Sequence, residues 1–282
     1  FKRQDDEHDT EKAVNAYNTL KDNGMKVFIG TVTTGACLSV VSQTKADNMF
    51  QITPSASAAK VIANDNCFQV CFTDPNQGTA SADYIASKGL ATKVAVIYNS
   101  SDAYSSGIYD NFKAEAAAKG LDLVASEAFT GDSKQDFSSQ LSKIKASGAE
   151  LIFLPIYHQE ASLILSQAKN AGITAKFFGC DGLDGLLNIE NFDKSLAENV
   201  MLFTPFAANA TDETTKKFVA AYNAKYDPST LNQFAADAYD AVYVVKAAAE
   251  KAGVTGDMSV SDICNALKGA MTEITVDGVT GS

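Results

Sequence analysis

The chain is 282 residues long, with 46% hydrophobic and 20% charged residues, which exceeds the usual size of a single core and predicts two domains. Its 23 lysines and arginines against 34 aspartates and glutamates give a net charge of -11. This balance argues against nucleic acid as a partner, because it repels phosphate. No apolar run approaches the roughly 18 to 20 residues of a membrane-spanning helix.

Strands and amphipathic helices are predicted to alternate along most of the chain. Thr10 is predicted to cap the first helix, which is followed by a strand at 26–30, a helix at 38–46 and a strand at 49–53. Further strands are predicted at 93–98, 121–128, 150–156, 175–180 and 199–203, separated by helices that end at Gly120, Gly148 and Gly172. The remainder is helical, at 212–226, 232–252 and 261–268. Apolar strands alternating with helices are typical of parallel sheets covered on both faces.

The helical C-terminal part needs a sheet to cover, and the nearest incomplete sheet is the N-terminal one. We therefore predict an α/β protein of two doubly wound parallel-sheet lobes joined by a multi-stranded hinge. Lobe 1 is predicted to comprise residues 1–72 and 207–282, and lobe 2 residues 73–206. Because lobe 1 shows few strands, we expect the natural protein to be longer at both ends.

Cysteine usage argues against both a disulfide framework and a metal site. The five cysteines are an odd number and widely scattered, and the chain has only two histidines and no Cys-x-x-Cys motif. We therefore predict buried free thiols that behave as small apolar side chains, with no metal and no cofactor. The cysteines are Cys37, Cys67, Cys71, Cys180 and Cys264.

The residues that follow each strand are candidate site residues, because ligands of open α/β sheets bind beyond the carboxyl ends of the strands. In lobe 1 they form hydroxyl-rich turns at helix N-termini, whose free N–H groups suit a carboxylate. In lobe 2 they are one acid and two tyrosines, which suit an ammonium group. Each residue alone is more often a helix cap or a turn former, but together they indicate a site for an α-amino acid zwitterion. The candidates are Thr33, Thr34, Ser55, Ala56 and Ser57 in lobe 1, and Tyr104, Tyr157 and Asp181 in lobe 2.

Catalytic interpretations find little support in the sequence. The Gly-x-Ser-x-Gly, P-loop and His-Glu-x-x-His motifs are all absent. His158 follows a predicted strand, where it would serve as a general base, but no acid is placed to orient it. We therefore favour a hydrogen-bonding histidine and predict a binding protein rather than an enzyme.

Several ordered segments resemble one known family. They are Val27-Phe28-Ile29-Gly30, Ile52-Thr53-Pro54-Ser55-Ala56-Ser57, Asp74-Pro75-Asn76-Gln77-Gly78, Lys93-Val94-Ala95-Val96-Ile97-Tyr98 and Gly179-Cys180-Asp181-Gly182. Over residues 5–281 they resemble the branched-chain amino acid (leucine/isoleucine/valine) binding proteins of ABC transporters. The resemblance implies the type I periplasmic-binding-protein fold and delivery of the ligand to a membrane permease. It also implies an extracytoplasmic location, in the periplasm or at the cell surface, with or without a lipid anchor.

The resemblance further implies roles for the candidate residues. The lobe 1 turns would hold the ligand carboxylate, through positions that match Thr34, Ser55 and Ser57. Asp181 would meet the ammonium, and Tyr104 and Tyr157 would supply aromatic contacts. The family often has glutamate in place of Asp181 and serines in place of Thr33 and Thr34, so the preferred side chain stays open. The family's N-terminal strand and the loop after it have no counterpart in this sequence.

We expect a monomeric solute-binding protein that captures a small amino acid, with an aliphatic or branched-chain one as first choice. Closure of the lobes would then mark the loaded form for the permease of an ABC transporter. Two alternatives stay open at this point. One is a ligand-sensing module of the same fold, for another small amino acid or amide, without a transport role. The other is an enzyme that uses His158 and Asp181.

Overall fold

The computed structural model describes residues 1–282, which divide into two compact units. The first unit comprises Phe1–Phe72, Pro205–Lys225 and Gln233–Ser282, and the second comprises Thr73–Thr204 and Tyr226–Asn232. These bounds differ from the predicted lobes at residues 205–206 and 226–232. Phe206 belongs to the first unit because its ring packs edge-on against Phe218, with 5.7 Å between centroids. Residues 226–232 belong to the second unit, where Leu231 lines a cavity of about 450 Å³ together with Leu183 and Leu202.

The first unit is a three-stranded parallel sheet with helices on both faces. Its strands, in the order β1-β2-β3, are β1 (Phe28–Ile29), β2 (Gln51–Thr53) and β3 (Cys67–Gln69). Its helices are α1 (Thr10–Asp22), α2 (Thr34–Ala46), α7 (Glu213–Asn223), α8 (Gln233–Ala252) and α9 (Val260–Ala270), with a 3-10 turn at Ala59–Ile62.

Alternation along β2 places helices on the two faces of this sheet. Phe50 and Ile52 pack with α8 and α9, in a cluster that includes Leu267. Met49 packs on the other side with α1 and α2, and the Gln51 amide nitrogen donates to the Gly30 carbonyl there. Because successive side chains of a strand point to opposite faces, one short strand supports two helical layers.

The second unit is a five-stranded parallel sheet in the order β5-β4-β6-β7-β8. Its strands are β4 (Lys93–Asn99), β5 (Asp122–Phe129), β6 (Leu151–Leu154), β7 (Lys176–Gly179) and β8 (Met201–Leu202). Its helices are α3 (Asp74–Ser87), α4 (Ala103–Ala118), α5 (Ser138–Ser147) and α6 (His158–Asn170). Single 3-10 turns lie at Gly131–Ser133, Asp181–Leu183, Leu186–Asn188, Lys194–Ala197 and Pro228–Thr230.

Two separate apolar clusters cover this second sheet. Val94 and Val96 of β4 pack with α3 and α4, whereas Ala95 and Ile97 pack with α5 and α6. A strand that is buried on both faces is a continuous apolar run in the sequence. The strands of the second sheet were therefore easy to predict. The expectation of an α/β fold with doubly wound parallel sheets is confirmed.

Several local predictions need correction. The cap of α1 is Asp9 rather than Thr10, since the Asp9 carboxylate accepts from the Lys12 backbone N–H at 2.8 Å. The second helix begins at Thr34, four residues before its predicted start, because the residues from Thr34 onward, predicted as a loop, form the first helical turn. The strand predicted at 199–203 is reduced to Met201–Leu202. Gly148 does end α5, in the left-handed conformation with φ 72°.

All five cysteines are buried and none forms a disulfide, as predicted. Burial raises the pKa of the Cys37 thiol to about 12 and that of the Cys67 thiol to about 11. These thiols are therefore protonated at neutral pH and pack as apolar groups. No helix in the structure has the length and apolar character needed to cross a bilayer.

Candidate functional site

Two loops in the first unit, one after β1 and one after β2, are joined by the Thr34 side chain. Thr34 is the first residue of α2, and its hydroxyl accepts from the Ser57 N–H at 3.1 Å and from the Ala58 N–H at 3.4 Å. A hydroxyl oxygen that accepts two hydrogen bonds keeps its own proton for a further acceptor. The Thr34 hydroxyl thus holds the loop after β2 and can still donate a hydrogen bond of its own.

Thr53 also joins these loops, although the sequence did not single it out as a site residue. Its hydroxyl donates to the Thr31 carbonyl at 2.6 Å and accepts from the Ala56 N–H at 2.9 Å. Thr33, by contrast, directs its hydroxyl to His8, with 2.7 Å between Oγ1 and Nδ1. The structure therefore gives Thr33 a partner at the N-terminus of the chain, and no sequence pattern indicated that contact.

The turn of Ser55, Ala56 and Ser57 is buried throughout. The Ser57 hydroxyl is fully buried and makes no hydrogen bond within the protein. Leaving a buried hydroxyl unsatisfied costs about 1–3 kcal/mol, so such a group in a folded protein calls for an explanation. The first unit thus brings all five of its predicted residues to the carboxyl ends of β1 and β2, and the Thr34 and Ser57 hydroxyls there are able to meet an acceptor.

In the second unit, Tyr104, Tyr157 and Asp181 follow β4, β6 and β7, which are adjacent in the sheet. The Tyr104 hydroxyl donates to Asp181 Oδ1 at 2.6 Å and accepts from the Gly182 N–H at 2.9 Å. The rings of Tyr104 and Tyr157 are stacked, with 4.7 Å between centroids. Adjacent parallel strands present their carboxyl ends at one edge, and this is why three residues far apart in sequence meet here.

Tyr104 is an interior residue, only 2% exposed, whereas Tyr157 is half-buried. Burial, with the neighbouring Asp181 carboxylate second, raises the pKa of Tyr104 well above its usual value. The phenol therefore keeps its proton at physiological pH and serves as a permanent donor to Asp181. Of the two stacked rings, that of Tyr157 is the more exposed, and the aromatic contacts of both tyrosines with a ligand stay a prediction.

Helix α3 contributes polar side chains behind this turn that the sequence analysis did not identify as site residues. Gln77 is 2% exposed, and its side-chain oxygen accepts from the Asp181 N–H at 3.2 Å. Its amide nitrogen is buried without a hydrogen-bond partner. Ser81, one turn further on, places its hydroxyl 3.9 Å from the Cys180 sulfur. The available signal was the spacing of Asp74, Gln77 and Ser81, which puts three polar residues on the buried face of one helix.

His158 begins α6 and lies at the same edge of the sheet. Burial lowers the pKa of its imidazole below the usual value, so the ring is neutral at pH 7. Its Nδ1 is buried without a hydrogen-bond partner, so no acid orients the ring from that nitrogen. The carboxylates of Glu160 and Asp184 act on the ring electrostatically and raise the pKa of His158, but by less than burial lowers it.

The complete chain, residues 1–282, matches the family model of the periplasmic binding proteins. The chain belongs to this family. The Leu/Ile/Val-binding protein homolog 3 of Brucella melitensis is 33% identical over 261 residues, which are 91% of this chain and 69% of that protein. A leucine-, isoleucine-, valine-, threonine- and alanine-binding protein of Pseudomonas aeruginosa is 29% identical over 93% of this chain and 69% of its own length.

Solved structures of periplasmic binding proteins have the same fold. The leucine-binding protein LivK of Thermotoga maritima superposes with a TM-score of 0.82 at 25% identity, covering 98% of this chain and 77% of that one. LivJ of Streptococcus pneumoniae, in complex with isoleucine, gives a TM-score of 0.83 at 27% identity, covering 99% of this chain and 77% of that one. Periplasmic binding proteins act outside the cytoplasm and are not enzymes, and both expectations from the sequence are thereby confirmed.

Proposed function

We propose that this periplasmic binding protein captures an α-amino acid with an aliphatic, branched side chain and delivers it to the permease of an ABC transporter. Its relatives in Brucella melitensis and Pseudomonas aeruginosa are named for binding leucine, isoleucine and valine. LivJ, similar over 99% of this chain, was solved with isoleucine. These similarities support a ligand of the same class.

The observation that carries the proposal is the buried carboxylate of Asp181 at the carboxyl end of β7. Its side chain is 3% exposed and accepts from the protonated Tyr104 hydroxyl. A desolvated carboxylate held by a neutral donor remains a strong partner for an ammonium group. We assign the ligand ammonium to Asp181 and a contact with the ligand side chain to Tyr157.

The first unit supplies hydrogen-bond donors, which suit the carboxylate of the ligand rather than its ammonium group. The Thr34 and Ser57 hydroxyls, with the backbone N–H groups at the start of α2, are suited to a carboxylate. We assign the ligand carboxylate to the two turns that carry these groups, whose predicted site residues are Thr33, Thr34, Ser55, Ala56 and Ser57.

Calorimetric titration of the protein with each of the twenty amino acids tests this proposal. We expect leucine, isoleucine or valine to bind more tightly than polar or charged amino acids. If no amino acid binds with a Kd below about 1 mM, which corresponds to roughly -4 kcal/mol, the proposal is wrong. Product analysis after prolonged incubation would reveal turnover, and any turnover would contradict a binding role.

The transport role and the finer location are tested in cells. We propose that the protein works as a monomer, either free in the periplasm or attached to the membrane surface through a lipid anchor. Removing the protein from its natural host should reduce uptake of radiolabelled leucine, and restoring it should restore uptake. Unchanged uptake, with leucine binding intact in vitro, would favour a sensory module of the same fold.

A further inference from the structure

The turn of Cys180, Asp181 and Gly182 is held from two different helices. From α4, the Tyr104 hydroxyl donates to Asp181 Oδ1 at 2.6 Å and accepts from the Gly182 N–H at 2.9 Å. From α3, the Gln77 side-chain oxygen accepts from the Asp181 N–H at 3.2 Å. The backbone and the carboxylate of one residue are thus fixed separately. We call Tyr104 and Gln77 the Asp181 clamp.

The Tyr104 hydroxyl is fully engaged by this turn. A phenol has one proton to donate, and Tyr104 directs it to Asp181 while its oxygen accepts from Gly182. The side chain is 2% exposed, and the Tyr157 ring stacks on it. The hydroxyl therefore acts on Asp181 and leaves direct ligand contact to Tyr157.

The two helices that carry the clamp are themselves in close contact. A Cβ added to Gly78, the residue after Gln77, would lie 2.5 Å from the Ile108 carbonyl oxygen on α4. Such an approach requires glycine and leaves little freedom for the helices to slide past one another. Gln77 and Tyr104 are consequently fixed on one rigid surface, which is what accurate placement of a binding group requires.

We propose that Tyr104 and Gln77 are positioning residues, which hold the Asp181 carboxylate in the orientation that binds the ammonium group of the ligand. The inference rests on the proposed function, because it concerns how the amino acid site works. Loss of the Tyr104 donor removes one of the contacts that fix the rotamer of Asp181, and a charge-assisted hydrogen bond requires the carboxylate in one place. The clamp thus contributes to recognition of the ammonium alone.

Two probe ligands separate this positioning role from a general structural role. They are leucine and 4-methylpentanoate, which has the leucine skeleton and carboxylate without the ammonium. The variants are Tyr104→Phe, which keeps the ring, and Gln77→Met, which keeps the side-chain length. Tyr84→Phe removes a hydroxyl from a partly exposed ring of α3 and is the matched control. Binding of both probes is measured by calorimetry, and by thermal shift up to the solubility limit of each probe.

We expect Tyr104→Phe to weaken leucine binding about 10- to 100-fold, the range for losing a hydrogen bond to a charged group. Gln77→Met should weaken it about 2- to 10-fold, as for a neutral hydrogen bond. Binding of 4-methylpentanoate should not change in either variant, and in an Asp181→Asn background Tyr104→Phe should cause no further loss.

Equal loss for both probes would overturn the inference, because the clamp would then only support the shape of the site. Unchanged leucine binding in Tyr104→Phe would overturn it as well. Failure of the proposed function looks different, since the unaltered protein would then bind no amino acid. Melting temperatures of all variants show whether each one folds. If Tyr104→Phe does not fold, the milder variant Gln77→Met still tests the inference.

Discussion

Asp181 comes just after β7, and its neighbour Gly182 fits only because it lacks a side chain. A Cβ at position 182 would lie 2.7 Å from the Tyr104 hydroxyl and 2.7 Å from the Ile156 carbonyl oxygen. An Asp-Gly pair in a sequence more often indicates a simple turn. Here the glycine lets the turn approach Tyr104 closely enough for the hydroxyl to bind both residues.

Asp181→Ala should weaken amino acid binding by about 2–5 kcal/mol, the range for removing one partner of a buried charge pair. The reason is that the ligand ammonium would be desolvated without a carboxylate to meet it. Calorimetry with leucine measures the change. Asp132→Ala, which removes an exposed carboxylate from the same unit, should leave affinity unchanged. A loss below tenfold would show that Asp181 is only a turn residue.

At the scale of elements, α3 and α4 approach each other closely at Gly78, whereas Gly107 has room for a side chain. A Cβ at Gly78 would meet backbone atoms of α4 at 2.5 Å and 2.7 Å. A Cβ at Gly107 would meet its nearest atom, a carboxylate oxygen of Asp74, at an ordinary 3.5 Å. Both residues lie inside helices, so helix propensity treats them alike and only packing distinguishes them.

Gly78→Ala should therefore lower the free energy of unfolding by about 1–3 kcal/mol, because the helices must move apart. Gly107→Ala is the matched control, and it should be neutral or add up to about 1 kcal/mol, since alanine is the better helix former. Urea unfolding followed by circular dichroism measures both changes. Equal stability of the two variants would show that α3 and α4 are less tightly packed than the structure indicates.

Across the whole molecule, buried cysteines lie in both compact units. Cys37, Cys67, Cys71 and Cys264 are in the first unit and Cys180 is in the second. Burial is the largest cause of the raised pKa of the Cys180 thiol, with the nearby Asp181 carboxylate second. Only a thiolate reacts readily, so the folded protein should resist thiol reagents throughout.

We expect no thiol of the native protein to react with Ellman's reagent at about pH 8, where a free exposed cysteine is partly ionised. All five should react once the protein is unfolded in guanidinium chloride. Absorbance at the reagent's product band counts the reactive thiols under each condition. Rapid labelling of a native cysteine would place that residue at the surface and contradict the buried position that we describe.

The sequence alone predicted the parallel sheets, most of their helical cover and the residues at the strand ends, but not helix α3. Apolar runs and helical periodicity are local properties, and burial on both faces makes them visible in a strand such as β4. The bond from Tyr104 to Asp181 spans 77 positions, and that from Gln77 to the Asp181 N–H spans 104. Only the tertiary structure decided those contacts, because strand order and helix packing, which no local pattern encodes, bring these side chains together. Tertiary contacts also decide that residues 226–232 belong to the second unit, where Leu231 lines a cavity together with Leu183 and Leu202.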